Sequence, residues 1–498
     1  MGKVRYPLNF VGNNNRILKI PDKKELRNHP VLQLVSQIAI ENNFEVYAVG
    51  GFVRDLILER KVKDIDFVCV GSGMDLAKLV GKRLKKKVSL FKNFGTAQVM
   101  MDDWQLEFVG ARKESYDRNS RKPAVEEGTL EDDQKRRDFT INAMAISLNK
   151  ENYGELIDPF GGLEHLKDRM LMTPMDPGVT FSDDPLRMMR AVRFACQLGL
   201  DIEADTFGAI FDNAERIKIV SQERISDELN KIILSSLPSY GFKLLFQSGL
   251  LEIIFPEMKA LHGVESINGM NHKDNFYHTL QVLDNLSENT DSLWLRWAAI
   301  LHDIAKPATK RFVPGHGFTF HGHEDKGARM VPGIFRRMKL PLGQPMQYVQ
   351  KLVKLHLRPI ALVKEAITDS ALRRLLLEAG NDIDDLMKLC RADITSKNDQ
   401  KVKRYLANFE KVERKLLEVE EKDQIRNFQP PVSGMEIMEY FKIKPSREVG
   451  LIKDEIKEAI IVGKIRNDVA EAKRLMVEIG ERLGLERKAG NKKENENK

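Results

Sequence analysis

The stretch of residues 46–70 constrains the fold of this chain more than any other part of the sequence. An apolar, strand-like run ends at Gly50 and Gly51, a segment with Arg54 follows, and an Asp-Ile-Asp triplet at 64–66 opens the next apolar run. Paired glycines let the backbone approach a phosphate closely, and a helix that starts after them directs free N–H groups at the anion. The pattern therefore predicts an α/β domain with a phosphate-binding turn, where Arg54 adds a fixed charge.

Two carboxylates of the triplet are candidates to bind a metal ion. Residues two apart in a strand face the same side, so Asp64 and Asp66 share one face while Ile65 turns into the core. Such a pair can hold Mg²⁺, which lowers the pKa of a ribose 3′-hydroxyl and stabilises the departing pyrophosphate. Glu107, in another strand-like run, is a candidate third ligand. Glycine turns and Asp pairs are each common, so only their combination is informative.

Further segments carry a resemblance to a known family. RRDFTINAMA at 136–145, DPFGG at 158–162, DDPLRMMRAVRF at 183–194 and ERISDEL at 223–229 follow the GGFVRD and DID motifs in order. Together they resemble the polymerase-β-like nucleotidyltransferases of class II, which include tRNA CCA-adding enzymes and bacterial poly(A) polymerases. The resemblance covers residues 46–235. It implies an α/β polymerase-β-like nucleotidyltransferase head that transfers nucleotides to an RNA 3′ end.

The same resemblance implies roles for single residues. Asp64 and Asp66 would bind the catalytic metal, and the glycine pair, Arg54 and Arg137 would contact the nucleotide. Base selection would belong to the helix that follows residue 185.

Residue types in that helix agree with base selection. Asp184 and Arg187, three apart at the helix start, together offer acceptors and donors to a base edge. Arg190 and Arg193 continue the spacing and are candidates to meet phosphates. The alternative is an amphipathic helix whose arginines form salt bridges. The family often has Glu-Asp before this arginine series, whereas here the pair is Asp183 and Asp184, a change that conserves the charge.

A second group of candidate ligands lies in the following block. Its histidines and acidic residues are His278, His302, Asp303, His323, His356 and Asp393. With Lys306-Pro307 and GHE at 322–324, the block resembles the HD phosphohydrolase superfamily. Imidazole and carboxylate ligands suit a divalent ion that activates water for phosphoester hydrolysis. The alternative is an HD fold kept as a scaffold or RNA-binding arm, with histidines that only hydrogen-bond.

The sequence also predicts how the chain is divided. Strand signals stop after residue 185, and amphipathic helical periodicity replaces them, so the remainder is predicted to be all-α. We expect a head at 1–165, a helical neck at 166–262 with base-selecting and RNA-binding helices, an HD domain at 263–400 and a helical tail at 401–498 with a disordered C-terminus. The polar segment 112–136 predicts a mobile loop beside the nucleotide. Family members that add only CC have a shortened segment here, so its full length favours an enzyme that also adds A.

Composition narrows the class of protein. Lys and Arg number 80 against 73 for Asp and Glu, and the net charge of +7 fits a polyanionic partner, although scattered lysines are equally typical of a solvated surface. Cys69, Cys196 and Cys390 lie far apart, which predicts buried thiols rather than disulfides or a zinc site. No apolar run approaches the roughly 18 residues of a membrane span, and the N-terminus has no signal-peptide core. No membrane partner and a cytoplasmic location are therefore expected, while nothing indicates the oligomeric state.

The sequence thus predicts Mg²⁺-dependent addition of CMP and AMP, from CTP and ATP, to the 3′ end of tRNA. A poly(A) polymerase or A-only enzyme shares nearly every motif, but the full-length loop, the HD block and the lack of a long basic C-terminal extension argue against it. An HD-type phosphohydrolase with an RNA-binding head is a second alternative. A non-catalytic tRNA-binding factor, the third, is hard to reconcile with both Asp64 and Asp66.

Overall fold

The computed structural model describes residues 22–92, 95–115, 124–267, 270–271, 273–364, 368–395, 398–423 and 431–485. The C-terminal residues predicted to be disordered lie outside this set. The chain forms two compact units, Met1–Ala260 and Leu261–Lys498. The finer division into head, neck, HD domain and tail stays a prediction.

A mixed sheet of seven strands forms the base of the first unit. The strands of this unit are β1 Glu45–Val49, β2 Asp64–Val70, β3 Val88–Phe91, β4 Thr96–Met101, β5 Trp104–Gly110, β6 Arg112–Ser115, β7 Ala124–Glu127, β8 Ala145–Ser147, β9 Leu156–Ile157, β10 Met170–Leu171 and β11 Asp201–Ile202. The order in the large sheet is β3-β4-β5-β2-β1-β8-β9. Its central pair, β2 with β5, is parallel, whereas β1 runs antiparallel to both β2 and β8. The two strands that carry candidate acidic ligands are therefore neighbours.

Helices cover the sheet and continue as a helical layer. The helices of the first unit are α1 Lys23–Asn28, α2 Pro30–Glu41, α3 Gly51–Ile57, α4 Gly73–Leu84, α5 Leu130–Lys135, α6 Gly162–Lys167, α7 Pro177–Asp183, α8 Leu186–Leu198, α9 Ala204–Asn213, α10 Gln222–Ile233, α11 Pro238–Gln247, α12 Leu250–Ile254 and α13 Pro256–Lys259. Helices α2 and α4 pack on each other, and α4 packs on β4 and β5. Phe67 of β2 and Phe108 of β5 are registered neighbours, and their rings stack at a centroid distance of 5.0 Å. The apolar core on this face of the sheet therefore includes both central strands. Burial of these apolar faces is the main driving force for this arrangement.

Helix α8 is the centre of the helical layer, where it packs against α10 and α11. Its apolar side is buried, and it ends at Gly199 in the left-handed conformation that commonly caps a helix. At Gly241 in α11 a Cβ atom would lie 2.5 Å from Ile232 and 2.6 Å from the Sγ of Cys196. The absence of a side chain at this position therefore permits the close approach of α11 to its neighbours.

The second unit is built from helices. They are α14 Asn275–Ser287, α15 Leu293–Leu301, α16 Lys306–Thr309, α17 His323–Arg337, α18 Gln344–Leu355, α19 Leu357–Lys364, α20 Asp369–Ala379, α21 Ile383–Asp393, α22 Asp399–Asp423, α23 Gly434–Phe441, α24 Arg447–Ile461 and α25 Val469–Arg482. The last three helices share an apolar core that includes Ile437, Ile452 and Ile479. Short strands also occur here, β12 Ser266–Ile267 with β13 Met270–Asn271, and β14 Arg311–Val313 with β15 Gly317–Thr319.

The predicted fold class is confirmed, with one correction to the all-α remainder. Strand β11 and the two strand pairs of the second unit lie beyond residue 185. They are two or three residues long, too short for a periodic pattern in the sequence. All three cysteines are free and buried, as predicted. Within the described ranges, no helix has both the length and the apolar character needed to cross a bilayer.

Candidate nucleotide-transfer and metal sites

Three carboxylates share one face of the central strand pair. Asp64 is exposed, Ile65 is fully buried and Asp66 is partly buried, which is the alternation predicted for β2. The parallel register places Glu107 of β5 directly beside Asp66. Registered residues of adjacent strands point to the same side of a sheet. The structure thus brings all three predicted acidic ligands to one surface of the sheet.

The electrostatics of these carboxylates favour a cation. Burial raises the pKa of Asp66, and the charges of Asp64 and Asp133 add to the rise although Arg137 opposes it. Burial also raises the pKa of Glu107, with a further contribution from Asp66. The ionised groups therefore repel one another at neutral pH. An all-oxygen set of this kind fits a hard divalent ion, which would remove the repulsion.

Gly50 brings the backbone turn against a guanidinium group. Its φ of 74° lies in the left-handed region, where glycine is favoured. A Cβ at this position would lie 2.8 Å from Nη1 of Arg137 and 3.6 Å from Oδ2 of Asp66. Arg137 therefore lies between the glycine turn before Gly51 and the carboxylate face, where it can meet the phosphates of a nucleotide.

A buried carboxylate holds Arg137 in that position. Asp133 of α5 is fully buried, and its Oδ2 accepts bonds from Nε and Nη2 of Arg137 at 3.1 and 2.9 Å. Its Oδ1 accepts a bond from Nε of Arg136 at 3.0 Å. Nη1 of Arg137 donates to the carbonyl of Asn142 at 3.3 Å. Asp133 thus uses both oxygens to orient two successive arginines.

Arg54 is buried rather than open to solvent. Its Nη1 donates to Oδ1 of Asn142 at 2.6 Å, and Nε and Nη2 donate to Asp55 at 3.0 and 2.7 Å. The guanidinium also lies over the ring of Phe194, with its carbon 5.0 Å from the centroid. Direct contact between Arg54 and a nucleotide stays a prediction, whereas the structure shows a role in holding α3 against the rest of the unit.

The start of α8 presents Asp184 and Arg187 as the sequence predicts. Both are partly exposed, while the apolar residues of the helix are buried. Oδ1 of Asp184 accepts a bond from the N–H of Leu186 at 3.2 Å. Nη2 of Arg187 donates to the carbonyl of Arg136 at 2.6 Å. Arg187 is therefore bonded to the residue next to Arg137, and its contact with a base edge stays a prediction.

Arg190 and Arg193 differ from the expectation that they are available to phosphates. Nε of Arg190 donates to Oδ2 of Asp138 at 2.7 Å, and Nε of Arg193 lies 2.7 Å from Oε2 of Glu228. Burial would raise the pKa of Asp138, yet Arg190 and a bond from Asn142 lower it to about 2. The salt-bridged alternative describes these two arginines correctly, because both are paired with buried carboxylates.

The segment 112–136 is also corrected. Strands β6 and β7 form an antiparallel hairpin, and α5 follows. The helix begins with a capping box in which Thr129 and Asp132 exchange side-chain to backbone bonds. Most of the predicted mobile loop is therefore regular structure, and the rest, residues 116–123, lies outside the described residues.

The six candidate ligands of the second unit converge, and we call them the histidine cluster. They are His278 in α14, His302 and Asp303 after α15, His323 at the start of α17, His356 after α18 and Asp393 at the end of α21. Asp303 is central to the cluster. Its Oδ2 lies 3.2 Å from Nε2 of His302 and 3.6 Å from Nε2 of His278, while its Oδ1 lies 3.2 Å from Nε2 of His323 and 4.0 Å from that of His356. Nε2 of His278 is also 2.9 Å from Oδ1 of Asp393.

Backbone carbonyls orient the imidazoles inward. Nδ1 of His302, His323 and His356 each donates to the carbonyl three residues earlier, at 2.7 Å. A ring that donates from Nδ1 keeps its lone pair on Nε2, which is the usual arrangement of a metal-binding histidine. Among the described residues, Nε2 of His302 is buried without a hydrogen-bond partner. This arrangement favours ion binding over histidines that only hydrogen-bond.

Two groups of donors in the cluster are close enough to hold an ion each. His278, His302 and Asp303 have donor atoms within 4.8 Å of one another, as do Asp303, His323 and His356. Burial lowers the pKa of His302, but Asp303 and Asp393 outweigh it and raise that pKa to about 9. Burial and the charge of His302 lower the pKa of His356 to about 4. A metal ion would replace the proton on His302 as the counter-charge to the two carboxylates.

Comparisons with known proteins match domain families in both units. The family model of the poly A polymerase head domain matches residues 46–172, that of the probable RNA and SrmB-binding site of polymerase A matches 199–261, and that of the HD domain matches 275–397. An A-adding tRNA nucleotidyltransferase of Deinococcus radiodurans is 33% identical over 347 residues, which are 68% of this chain and 76% of that protein. The chain belongs to the tRNA nucleotidyltransferase family.

Other tRNA nucleotidyltransferases show the same relationship. The multifunctional CCA protein of Haemophilus influenzae is 34% identical over 62% of this chain and 73% of its own length. The A-adding enzyme of Aquifex aeolicus is 33% identical over 61% of this chain, which spans only 36% of that longer protein. A CCA-adding enzyme in its apo form shares the fold, with a TM-score of 0.62 over 93% of this chain and 95% of its own, at 22% identity. The predicted family and enzyme class are confirmed.

Some functional candidates were not visible in the sequence of this tRNA nucleotidyltransferase. Asp133 precedes Arg137 by four residues, a spacing that signals an ion pair on a helix but not full burial. Asn142 lies within the RRDFTINAMA motif, but the motif does not reveal that this residue bonds two arginines. Nζ of Lys306 donates to Oδ2 of Asp303 at 2.6 Å, so this part of the HD motif contacts the histidine cluster directly.

Proposed function

We propose that this chain adds CMP and AMP to the 3′ end of tRNA, using CTP and ATP and Mg²⁺. One observation carries the proposal: the predicted acidic ligands share one face of the sheet, with Arg137 beside Asp66 at the glycine turn. The names of the relatives support the RNA substrate. A solved tRNA nucleotidyltransferase complexed with a primer tRNA and an ATP analog is 26% identical, with a TM-score of 0.54 over 76% of this chain and 99% of its own.

In the proposed reaction each group has a separate task. Asp64, Asp66 and Glu107 would hold Mg²⁺, which activates the RNA 3′-hydroxyl and stabilises charge on the α-phosphate and the leaving pyrophosphate. The turn at Gly50 admits the triphosphate close to the backbone, and Arg137 neutralises part of its charge. Asp184 and Arg187 would offer hydrogen-bond partners to the base, so that the protein takes the place of a template. No covalent intermediate with the protein is required.

The A-only alternative keeps support, because relatives of both kinds match this chain at about equal identity. In favour of CCA addition, the segment that is shortened in CC-only family members is present at full length and forms the β6–β7 hairpin and α5. This argument separates CCA addition from CC addition, so the full-length segment does not argue against A-only addition in the way that the sequence led us to expect. Separation from A-only addition requires measurement.

An incorporation assay with single nucleotides separates CCA addition from A-only addition. The substrates are one tRNA that ends before its CCA and one that ends in CC, each incubated with labelled CTP alone, ATP alone or both. We expect CTP to extend the first, ATP to extend the second and both to complete the first. Incorporation of ATP alone, and never CTP, would establish the A-only alternative. Asp64→Asn should abolish every product, whereas Asp102→Asn, in the turn between β4 and β5, should not.

We propose a second activity for the histidine cluster, metal-dependent hydrolysis of a phosphoester. The observation that favours it is the inward orientation of four imidazoles around Asp303. A bound divalent ion would lower the pKa of a water molecule and polarise the ester. His302→Ala should abolish hydrolysis of bis(4-nitrophenyl) phosphate and leave nucleotide addition intact, while Asp64→Asn should do the opposite. Loss of both activities in either variant would contradict two independent centres.

A further inference from the structure

The positive charge of the chain is concentrated in a segment without acidic residues. Residues 326–364 contain nine Lys and Arg and neither Asp nor Glu, the longest such stretch in the sequence. The chain as a whole has a net charge of only +7, so the other residues together have a net charge of −2. The excess of Lys and Arg is therefore concentrated in one segment. The net charge of the whole chain does not reveal this distribution.

This segment folds mainly as a helical hairpin of α17 and α18, followed by α19. Gly327 and Val353 lie at the contact of the two helices, where a Cβ at Gly327 would be 3.2 Å from the valine side chain. Apolar residues of both helices, such as Val331 and Leu352, are fully buried. The charged residues must consequently lie on the outside of the hairpin.

Two lysines of the hairpin have internal partners. Nζ of Lys326 donates to the carbonyl of Ala308 at 3.0 Å, and Nζ of Lys351 donates to Asp382 at 2.6 Å. The exposed charges that carry this inference are those of Arg329, Arg336, Lys339, Lys354 and Arg358. Nη2 of Arg358 lies 4.0 Å from a carboxylate oxygen of Glu378, and the arginine side chain is 61% exposed. The hairpin and the first turn of α19 thus present five cations to solvent.

The hairpin also supplies two members of the histidine cluster, His323 at the first residue of α17 and His356 just after α18. With a rise of about 1.5 Å per residue, Arg329 lies roughly 9 Å and Arg336 roughly 20 Å along α17 from His323. Lys354 and Arg358 lie within one turn of His356. The cations therefore extend outward from the cluster over a distance of about 20 Å.

We propose that the exposed basic residues of the α17–α18 hairpin and the start of α19 bind the phosphate backbone of an RNA strand and direct a phosphoester of that strand to the histidine cluster. An extended series of cations is suited to a polyanion with regularly spaced charges, and phosphate contacts of this kind do not depend on base sequence. The RNA contact stands on the charge distribution and the exposure of the five residues. Delivery to the cluster rests on the hydrolytic activity proposed above.

The test uses the full-length protein with Arg329→Glu and Arg336→Glu combined. Binding of a fluorescent single-stranded RNA is followed by anisotropy at several salt concentrations. Loss of two phosphate contacts should weaken binding more than about tenfold at low salt and reduce the slope of log K against log salt by about 1.4, which is about 0.7 per contact. The matched control is Arg474→Glu on α25, an exposed arginine outside the hairpin, which should bind like the wild type.

A charge-conserving variant separates electrostatics from folding. Arg329→Lys with Arg336→Lys should retain most of the affinity, because backbone phosphates accept either cation. Unchanged affinity and slope in the folded double glutamate variant would overturn the proposal. An equal loss in the double lysine variant would also overturn it, because the effect would then be structural.

A hydrolysis assay separates failure of this proposal from failure of the hydrolytic activity on which it rests. The rate of RNA hydrolysis relative to that of bis(4-nitrophenyl) phosphate should fall more than about tenfold in the double glutamate variant. An unchanged ratio would overturn delivery to the cluster. If the wild type hydrolyses neither substrate, the hydrolytic activity itself fails, while the anisotropy result still decides whether the hairpin binds RNA.

Discussion

Replacement of Asp133 by Asn should impair both stability and nucleotide addition. The carboxylate is fully buried and accepts bonds from Arg136 and Arg137, whose side chains are 18% and 16% exposed. Removal of one partner from a buried ion pair typically costs about 3–5 kcal/mol, and partial exposure of the arginines favours the lower end. We therefore expect a loss of about 3 kcal/mol in the free energy of unfolding, measured by urea denaturation.

The effect on addition follows from the position of Arg137. Without Asp133 its guanidinium loses two of the bonds that hold it beside Gly50 and Asp66. A charge-assisted contact is worth about 1.5–3 kcal/mol, so kcat/KM for ATP should fall by roughly 10- to 100-fold. The assay is single-nucleotide extension of a tRNA that ends in CC, at temperatures where the variant is folded.

Two further variants test this reasoning. Asp132→Asn changes the neighbouring, partly exposed residue, whose contacts are those of the helix cap, so it should cost less stability than Asp133→Asn and leave kcat/KM unchanged. Asp133→Asn should add little to the loss caused by Arg137→Ala, because it acts through that side chain. Wild-type kcat/KM in Asp133→Asn, or additive losses in the double variant, would refute a positioning role.

Three other replacements test the remaining sites. Gly50→Ala should lose activity that Gly249→Ala retains, since both replacements strain a backbone with positive φ but only at Gly50 would the added Cβ displace a guanidinium; extension assays and thermal melts check this. Glu107→Gln should raise the Tm of the metal-free protein and abolish the rise in Tm on adding Mg²⁺. Burial and the like charge of Asp66 raise the pKa of Glu107, so its ionisation destabilises the fold increasingly as pH rises through that pKa; a Tm difference that does not depend on pH would contradict this. His323→Ala should weaken Mn²⁺ binding to the histidine cluster at least about tenfold by calorimetry, and the exposed His316→Ala should not.

Local patterns were sufficient for some parts of the site. The alternation of Asp64, Ile65 and Asp66 follows from strand geometry alone, and the structure reproduces it. Glu107 was only a candidate, because its place beside Asp66 depends on the parallel register of two strands that are separated in sequence. Partnerships across long distances in the chain cannot be deduced from spacing.

Two differences between the sequence predictions and the structure have the same physical origin. The spacing of Arg190 and Arg193 was interpreted correctly as one helix face, but their partners Asp138 and Glu228 lie 52 and 35 residues away in sequence, beyond any local pattern. In segment 112–136 the polar composition predicted a loop, although hydrogen bonding between β6 and β7 makes a hairpin of polar residues. For the histidine cluster, the resemblance rather than the spacing indicated that residues 278–393 meet.

The hydrogen bond from Arg187 to the carbonyl of Arg136 has a consequence for fidelity. The residue proposed to read the base is bonded to the peptide that immediately precedes Arg137, the residue proposed to meet the triphosphate. A base that displaces Arg187 would shift this peptide and, with it, the cation beside the reacting phosphates. Discrimination between nucleotides would then be expressed in the rate of the chemical step as well as in affinity, so an incorrect nucleotide can bind and still react slowly.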